Sequence, residues 1–406
     1  MLLTLAWRNL WRRPVRTWLS VLSMMFAASL LVFALSFQLG AYDTMKANAL
    51  RLFDGFAQIQ PSGYADDPDV GKTIGDAQTL SVRAMAIPGV TAAAPRGVTY
   101  VVLASGDESF GAAIVGVDPS AEAKVSTLHA TVRQGRYLSA GDDGAVVLGD
   151  VFARNLGLKV GDNVTLLGSA LDGTIAADRL TLIGAFHTGI PELDRQLAEM
   201  PLGRFKRDFG LGDRATLIAL SGPSLAAVNA ALPRIRALAA PDHLSVQDWG
   251  SLQPALRAAI TLDFSIGMLL YASLVAVVAF IVVNTLLMSM LERTREFGTL
   301  LAIGMRPDLL GRMLWYEVLL LAVIGVGLGV LVGGAAALWY EIHGIAVGHL
   351  EGLLAQWGLP GRLYPAVSVT SLLAGPLAIV TSVAVGGIVP YLRISGLQPR
   401  AAMASG

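Results

Sequence analysis

The sequence predicts a polytopic α-helical membrane protein with four transmembrane helices and a large extracytoplasmic α+β domain between helices 1 and 2. Two observations predict it. The 406 residues are 54% hydrophobic and only 15% charged, with a mean hydropathy of +0.59, too apolar for an ordinary soluble enzyme. Four stretches also reach the ~20 apolar residues needed to cross ~30 Å of hydrocarbon: Trp18–Leu39, Phe264–Leu291, Val318–Tyr340 and Leu363–Leu392. About 220 residues separate the first two, enough to bury a core.

Taken in order, residues 1–17 predict a cytoplasmic interfacial helix, with Leu2, Leu3, Trp7 and Leu10 on one face and Arg8, Arg12 and Arg13 on another. Transmembrane helix 1 (18–40) is too long for a signal-peptide core and lacks an Ala-x-Ala site, so it reads as an anchor. The domain (41–263) contains β-rich runs at Gly111–Pro119, Gly144–Asp150 and Asp178–Phe186, and a helix from Val151 stopped by Gly157. Within it Pro61–Lys72 reads as a polar loop, and a helical pattern over 222–240 is interrupted at Pro233. A helix from Gln253 runs into transmembrane helix 2 (264–291). Residues 292–313 form a cytoplasmic connection, helical through Ile303, ended by Gly304 and resumed at Pro307. Then follow transmembrane helix 3 (314–340), a short outer loop (341–362), transmembrane helix 4 (363–392), trimmed or kinked by Pro365, Pro376 and Pro390, and a cytoplasmic tail (393–406).

Basic residues set the orientation. Arg8, Arg12, Arg13 and Arg16 precede the first span, Arg293, Arg295, Arg306 and Arg312 separate the second and third, and Arg393 and Arg400 follow the fourth. The remaining short loop holds only Arg362. Both termini are therefore expected in the cytoplasm.

Several chemistries are excluded or disfavoured. Zero cysteines rule out disulfides and thiolate metal sites. Asp67–Thr73 (DPDVGKT) ends like a phosphate-binding loop, but Asp66 stands where the motif needs glycine. His343 and His349, with Glu341 and Glu351, fit no compact metal spacing, and His187, Glu192 and Asp194 lack a nucleophile and read as a turn. Asn284 and Thr285 are polar but uncharged, and the span cores carry no ionisable group, which argues against an ion pathway. Gly325, Gly327, Gly329, Gly333 and Gly334 give the third span a small-residue face suited to a dimer interface or to internal packing. The dense charge of Glu292-Arg-Thr-Arg-Glu296, backed by Phe297, Leu300 and Leu301, suits either a solvated turn or a docking helix.

The stretch Glu292–Gly329 (ERTREFGTLLAIGMRPDLL…) resembles the "ERxxEIGxLRAIG" segment of the FtsX-like, MacB-type ABC-transporter permeases. Leu301 stands where a basic residue is common, and Pro307 departs from the usual polar run. Leu5–Met24, "AIVGVDP", "AVVLGDVFARNLGLKVGDNVTL" and Tyr391–Ala404 also match pieces of that family, so the resemblance spans nearly the full chain. "GxFxTGIxExD" (Gly184–Asp194) resembles the lipoprotein-releasing LolC/LolE branch.

The resemblance implies a MacB-like periplasmic core domain and a multi-pass protein of the bacterial inner membrane. It implies a non-catalytic subunit without cofactor, ATP being bound by a partner ATPase dimer, and a second permease subunit, either the same chain or a paralogue. It assigns ATPase coupling to Glu292, Arg293, Thr294, Arg295, Glu296, Phe297, Gly298, Leu301 and Gly304, with Phe297 seated in a groove of the ATPase, and dimer or helix packing to Gly325, Gly329 and Gly333. The expected task is extraction of lipoproteins or lipids, handed to a periplasmic carrier. A MacB-like tripartite efflux permease and an FtsX-like regulator of a cell-wall hydrolase are the alternatives. Nucleic acid is not an expected partner.

Overall fold

Among the residues that the computed structural model describes, 2–12, 14–346 and 362–395, four helices are long and apolar enough to span a bilayer. They are Pro14–Ala49, continued as a π-turn to Asp54, Pro254–Glu292, Pro307–His343, and Val369–Gly386 continued by Ile388–Ser395. Two compact units divide the chain: a helical unit from the residues up to Asp43 and from Ala259 onward, and a sheet-based unit from Thr44 to Ala258.

In the helical unit, the third span packs through its glycines. A Cβ on Gly325 would lie 2.8 Å from Met24 Cβ, one on Gly329 2.6 Å from Met25 O, and one on Gly333 2.6 Å from Ser29 O. The three therefore admit the backbone of the first span, the close approach that small residues permit between membrane helices. Gly327 faces open space and Gly334 meets Leu372. Large apolar side chains such as Leu269, Phe280 and Leu331 point outward, as they must where the solvent is lipid.

Three details differ from expectation. The short N-terminal helix Leu2–Leu10 buries Ala6 and Leu10 and leaves Leu3 and Trp7 outward; Arg13 lies outside the described residues. The fourth span starts at Val369, not Leu363: Arg362 and Leu363 pair with Ile345 and Ala346, and Ser368 forms a capping box with Ser371. Pro233 does not interrupt its helix, which runs unbroken from Leu225 to Ala239. Burial of Val228, Ala231, Leu232, Ile235 and Ala239 along one face outweighs the one hydrogen bond that proline forgoes.

The sheet-based unit has ten strands: β1 (Ala57–Pro61), β2 (Ala92–Ser105), β3 (Glu108–Val117), β4 (Val132–Gly135), β5 (Ala145–Gly149), β6 (Asn163–Ser169), β7 (Ile175–Phe186), β8 (Leu197–Pro201), β9 (Leu217–Ser221) and β10 (Leu244–Gln247). Their order is β10-β1-β9-β2-β3-β8-β5-β7-β4, and β6 pairs with both β2 and β7. That double pairing closes β2-β3-β8-β5-β7-β6 into a ring. Leu103, Ile114, Val146, Leu148, Val164, Leu166, Leu180 and Leu182 fill one core with Phe205 and Phe209. Gly97 and Gly116 face each other across β2 and β3, and a Cβ on either would overlap Phe205. A second core, including Leu50, Ile59, Leu80, Ile218 and Ile235, lies under β1 and β9.

Candidate functional site

The second span ends at Glu292, and a separate helix covers Thr294–Ala302. Arg293 stands at the break, with φ −106° and ψ 11°, so the charged stretch is not one continuous helix. Thr294 Oγ1 donates to Met290 O at 3.1 Å and re-ties the broken turn. At the far end Gly304 adopts φ +100°, while Met305 N–H reaches back to Leu300 O at 3.0 Å. This is the left-handed stop that glycine supplies without a Cβ penalty. Pro307 then opens the third long helix.

The faces of the short helix divide sharply. Phe297 is fully buried with Met290, Leu310, Met313 and Leu314, and Gly298 and Leu301 are buried too. This corrects the expectation that Phe297 docks into a partner: its ring is consumed by the chain's own third helix, because it is the largest apolar group on the face turned that way. Outward stand Glu296, Thr299, Leu300 and Ile303, the last 79% exposed. The side chain of Arg295 lies outside the described residues.

Arg293 is held on three sides. Its Nε donates to Glu296 Oε2 at 3.2 Å, its guanidinium lies 5.2 Å from the Phe297 ring centroid, and its Nη1 approaches Glu317 Oε2 at 3.8 Å. Arg16 of the first span pairs with Glu292 at 3.5 Å and donates to Thr285 O. Arg16, Arg293, Glu296 and Glu317 line one cavity of about 150 Å3. Glu317 was missed by sequence reasoning, which counted the charge-free run from Val318 and passed over the residue before it. It lies three turns inside the Pro307–His343 helix and is buried. An ionisable residue within an otherwise apolar helix is itself the signal that points to a site.

The sheet-based unit resolves the other candidates. Asp194 caps the Thr188-Gly189 turn, accepting from Thr188 N at 2.7 Å, Thr188 Oγ1 at 2.8 Å and Gly189 N at 3.1 Å. A Cβ on Gly149 would overlap the Asp194 backbone, so two motifs distant in sequence meet here. His187 Nδ1 lies 3.2 Å from both Asp150 and Asp194. The three ligand-type atoms cluster, yet Arg154 takes the other Asp150 oxygen at 2.8 Å and the turn takes Asp194. Burial pushes Asp150 up, but Arg154 and His187 outweigh it and hold the carboxyl below its usual range. Glu192 is exposed. Lys72 is spent closing its own loop, donating to Gly63 O at 2.9 Å and Asp67 O at 2.8 Å. His343 stacks on Trp339 at 4.1 Å; His349 and Glu351 lie outside the described residues.

Four apolar helices, a large domain after the first and a charged helix between the second and third define the transmembrane permease subunit of an ABC transporter. Residues 17–238 match the MacB-like periplasmic core domain and residues 268–399 the FtsX-like permease C-terminal domain. The chain belongs to the FtsX/MacB-type permease family, whose members sit in the bacterial inner membrane and work with a cytoplasmic ABC ATPase. It is 26% identical to the lipoprotein-releasing system transmembrane protein LolC of Xylella fastidiosa over 327 residues, 73% of this chain and 74% of that one. It is 29% identical to the macrolide export ATP-binding/permease protein MacB of Syntrophobacter fumaroxidans over 165 residues, 40% of this chain and 20% of that one. The extracellular domain of the noncanonic ABC-type transporter YknZ aligns at 16% identity with a TM-score of 0.35, covering 47% of this chain and 97% of that one.

Proposed function

We propose that this chain transmits ATP-driven motion from a separate cytoplasmic ATPase dimer to its large outer domain, and that the work done is extraction of lipoproteins or lipids from the inner membrane. One observation carries the coupling: the Thr294–Ala302 helix is anchored inward by Phe297 and Leu301 and offers Glu296, Thr299, Leu300 and Ile303 outward. Phe297, Gly298 and Leu301 thus position the helix. Glu292 and Gly304 frame it, Arg293 and Thr294 re-tie it, and the ATPase would meet the exposed residues. The partner permease is a second copy or a paralogue, and both termini face the cytoplasm. No cofactor is assigned to this chain. The cargo reading leans on the LolC and LolE relatives and on the turn motif around Asp194.

The test joins purification from native membranes with a coupling variant. Glu296→Ala with Ile303→Ala is expected to lower cargo release at least tenfold while the chain stays folded in the membrane. Unchanged release overturns the coupling assignment. A co-purifying ATPase with lipoproteins supports extraction. An adaptor and outer-membrane channel would mean efflux instead, and a wall hydrolase would mean regulation.

A further inference from the structure

The cavity beside the coupling helix has features that transmission of motion does not require. Its volume of about 150 Å3 far exceeds the ~10–15 Å3 one water needs. Three guanidiniums line it, from Arg12, Arg16 and Arg293, together with the carboxylates of Glu296 and Glu317 and the apolar side chains of Leu286 and Leu321. Glu317 is only 8% exposed, and its Oε2 accepts no hydrogen bond among the described residues. Among the described residues the nearest cation, Arg293 Nη1, stands 3.8 Å away, beyond hydrogen-bonding reach. A desolvated carboxylate oxygen without a donor is costly, so the cavity calls for a ligand that brings one.

The location narrows the ligand. Trp7, Trp11 and Trp18 form an exposed chain of rings with centroids 5.9 and 6.0 Å apart at this end of the bundle. Exposed tryptophans mark the headgroup level of a bilayer. Basic pockets between spans at that level take lipid phosphates. Here, however, two carboxylates share the wall. A purely anionic headgroup would meet them, and a choline headgroup has no N–H to donate.

We propose that the cavity holds the headgroup of a phosphatidylethanolamine from the surrounding bilayer. Its ammonium donates to the Glu317 carboxylate, its phosphate lies against the Arg12 and Arg16 guanidiniums, and its acyl chains leave past Leu286 and Leu321. The inference does not depend on the cargo or on the ATPase, so its failure would leave the proposed function untouched.

Native mass spectrometry of the full chain released from nanodiscs tests it. The discs contain phosphatidylethanolamine, its N-methyl and N,N-dimethyl derivatives, phosphatidylcholine or phosphatidylglycerol, all with the same acyl chains. Phosphatidylethanolamine is expected to be retained at least fivefold more than phosphatidylcholine or phosphatidylglycerol, with retention falling as each N–H is replaced. Glu317→Met should abolish that preference. Equal retention of the ethanolamine and choline lipids would mean that no N–H donor is read at the cavity, and preference for phosphatidylglycerol would mean a plain anion site. Either result overturns the proposal, as does a Glu317→Met chain that keeps the preference. The wild-type methylation series decides the matter even where the variant fails to fold.

Discussion

Glycine serves both halves of this molecule, and the contrast between its two uses reveals what each half is built to exclude. In the closed ring of the outer domain, Gly97 and Gly116 leave room for one aromatic ring, Phe205. The gain there is burial of a large apolar side chain away from water, worth ~25 cal/mol per Å2. In the helical unit, Gly329 and Gly333 leave room for backbone, Met25 O and Ser29 O. Lipid offers no comparable hydrophobic gain between helices, so close van der Waals approach has to hold them. Buried charge occurs in both halves. The domain encloses a complete pair, Arg96 with Glu122, bonded at 2.6 and 2.9 Å and nearly inaccessible. Glu199 in the domain and Glu317 in the helical unit each keep one carboxyl oxygen without a hydrogen-bond partner among the described residues.

The largest expected effect breaks the domain's pair. Arg96→Met strands the Glu122 carboxylate in the interior and should cost ~3–5 kcal/mol, read as lost hydrogen-exchange protection across β2 and β9. Adding Glu122→Leu should restore most of it. If the double variant is no better than the single one, the pair is not the reason for the burial.

Next come the glycines. Gly97→Ala and Gly329→Ala should each cost ~1–3 kcal/mol through overpacking. Only the first should be rescued by Phe205→Leu, which removes the obstructing ring. Truncating Ala28, whose Cβ lies nearest the added methyl, cannot by itself relieve Gly329→Ala, because the Met25 carbonyl obstructs it as well. Thermal unfolding of the purified chain in detergent separates the two, and an equal rescue would erase the distinction drawn above.

Glu199 gives a pH-dependent effect. Burial and the nearby Glu122 push its carboxyl up from 4.5 to about 8, against opposing contributions from Tyr137, bonded at 2.6 Å, and Arg96. The folded domain therefore keeps a proton that the unfolded chain releases above about pH 4.5. Stability should fall as pH climbs from about 4.5 and level off above about 8. Glu199→Gln should flatten that fall, as followed by unfolding midpoints across the range; an unchanged slope would assign the dependence elsewhere.

The smallest effect on stability belongs to Glu296→Ala, within ~0.5 kcal/mol for an exposed side chain, although coupling should suffer. Phe297→Ala is its opposite, costing ~3–5 kcal/mol as a buried cavity. Comparable destabilisation by both would contradict the division of that helix into an anchored and an offered face.

Much of the architecture was legible because its signals are local. Apolar runs between charges located the helices, Gly304 and Pro307 marked a stop and a start, and Asp194 in the turn motif had a nearby partner to cap. The ring of six strands was not legible. Closure depends on β6 finding both β2 and β7, and β2, β8 and β9 lack alternation clear enough to announce themselves. Pro233 misled because a single lost hydrogen bond was weighed without the buried face that compensates for it.

By itself, then, the sequence determined the membrane class, the helical segments and the family, because composition, run length and motif spacing are properties of the chain alone. Tertiary structure decided which face of each helix is used. Phe297 looked like a docking group until the third helix covered it, Gly329 suited a dimer or internal packing until the first span filled its groove, and Glu317 stood unremarked beside a charge-free run until the bundle enclosed it. Each of these depends on a neighbour tens to hundreds of residues away, and only packing brings such neighbours together.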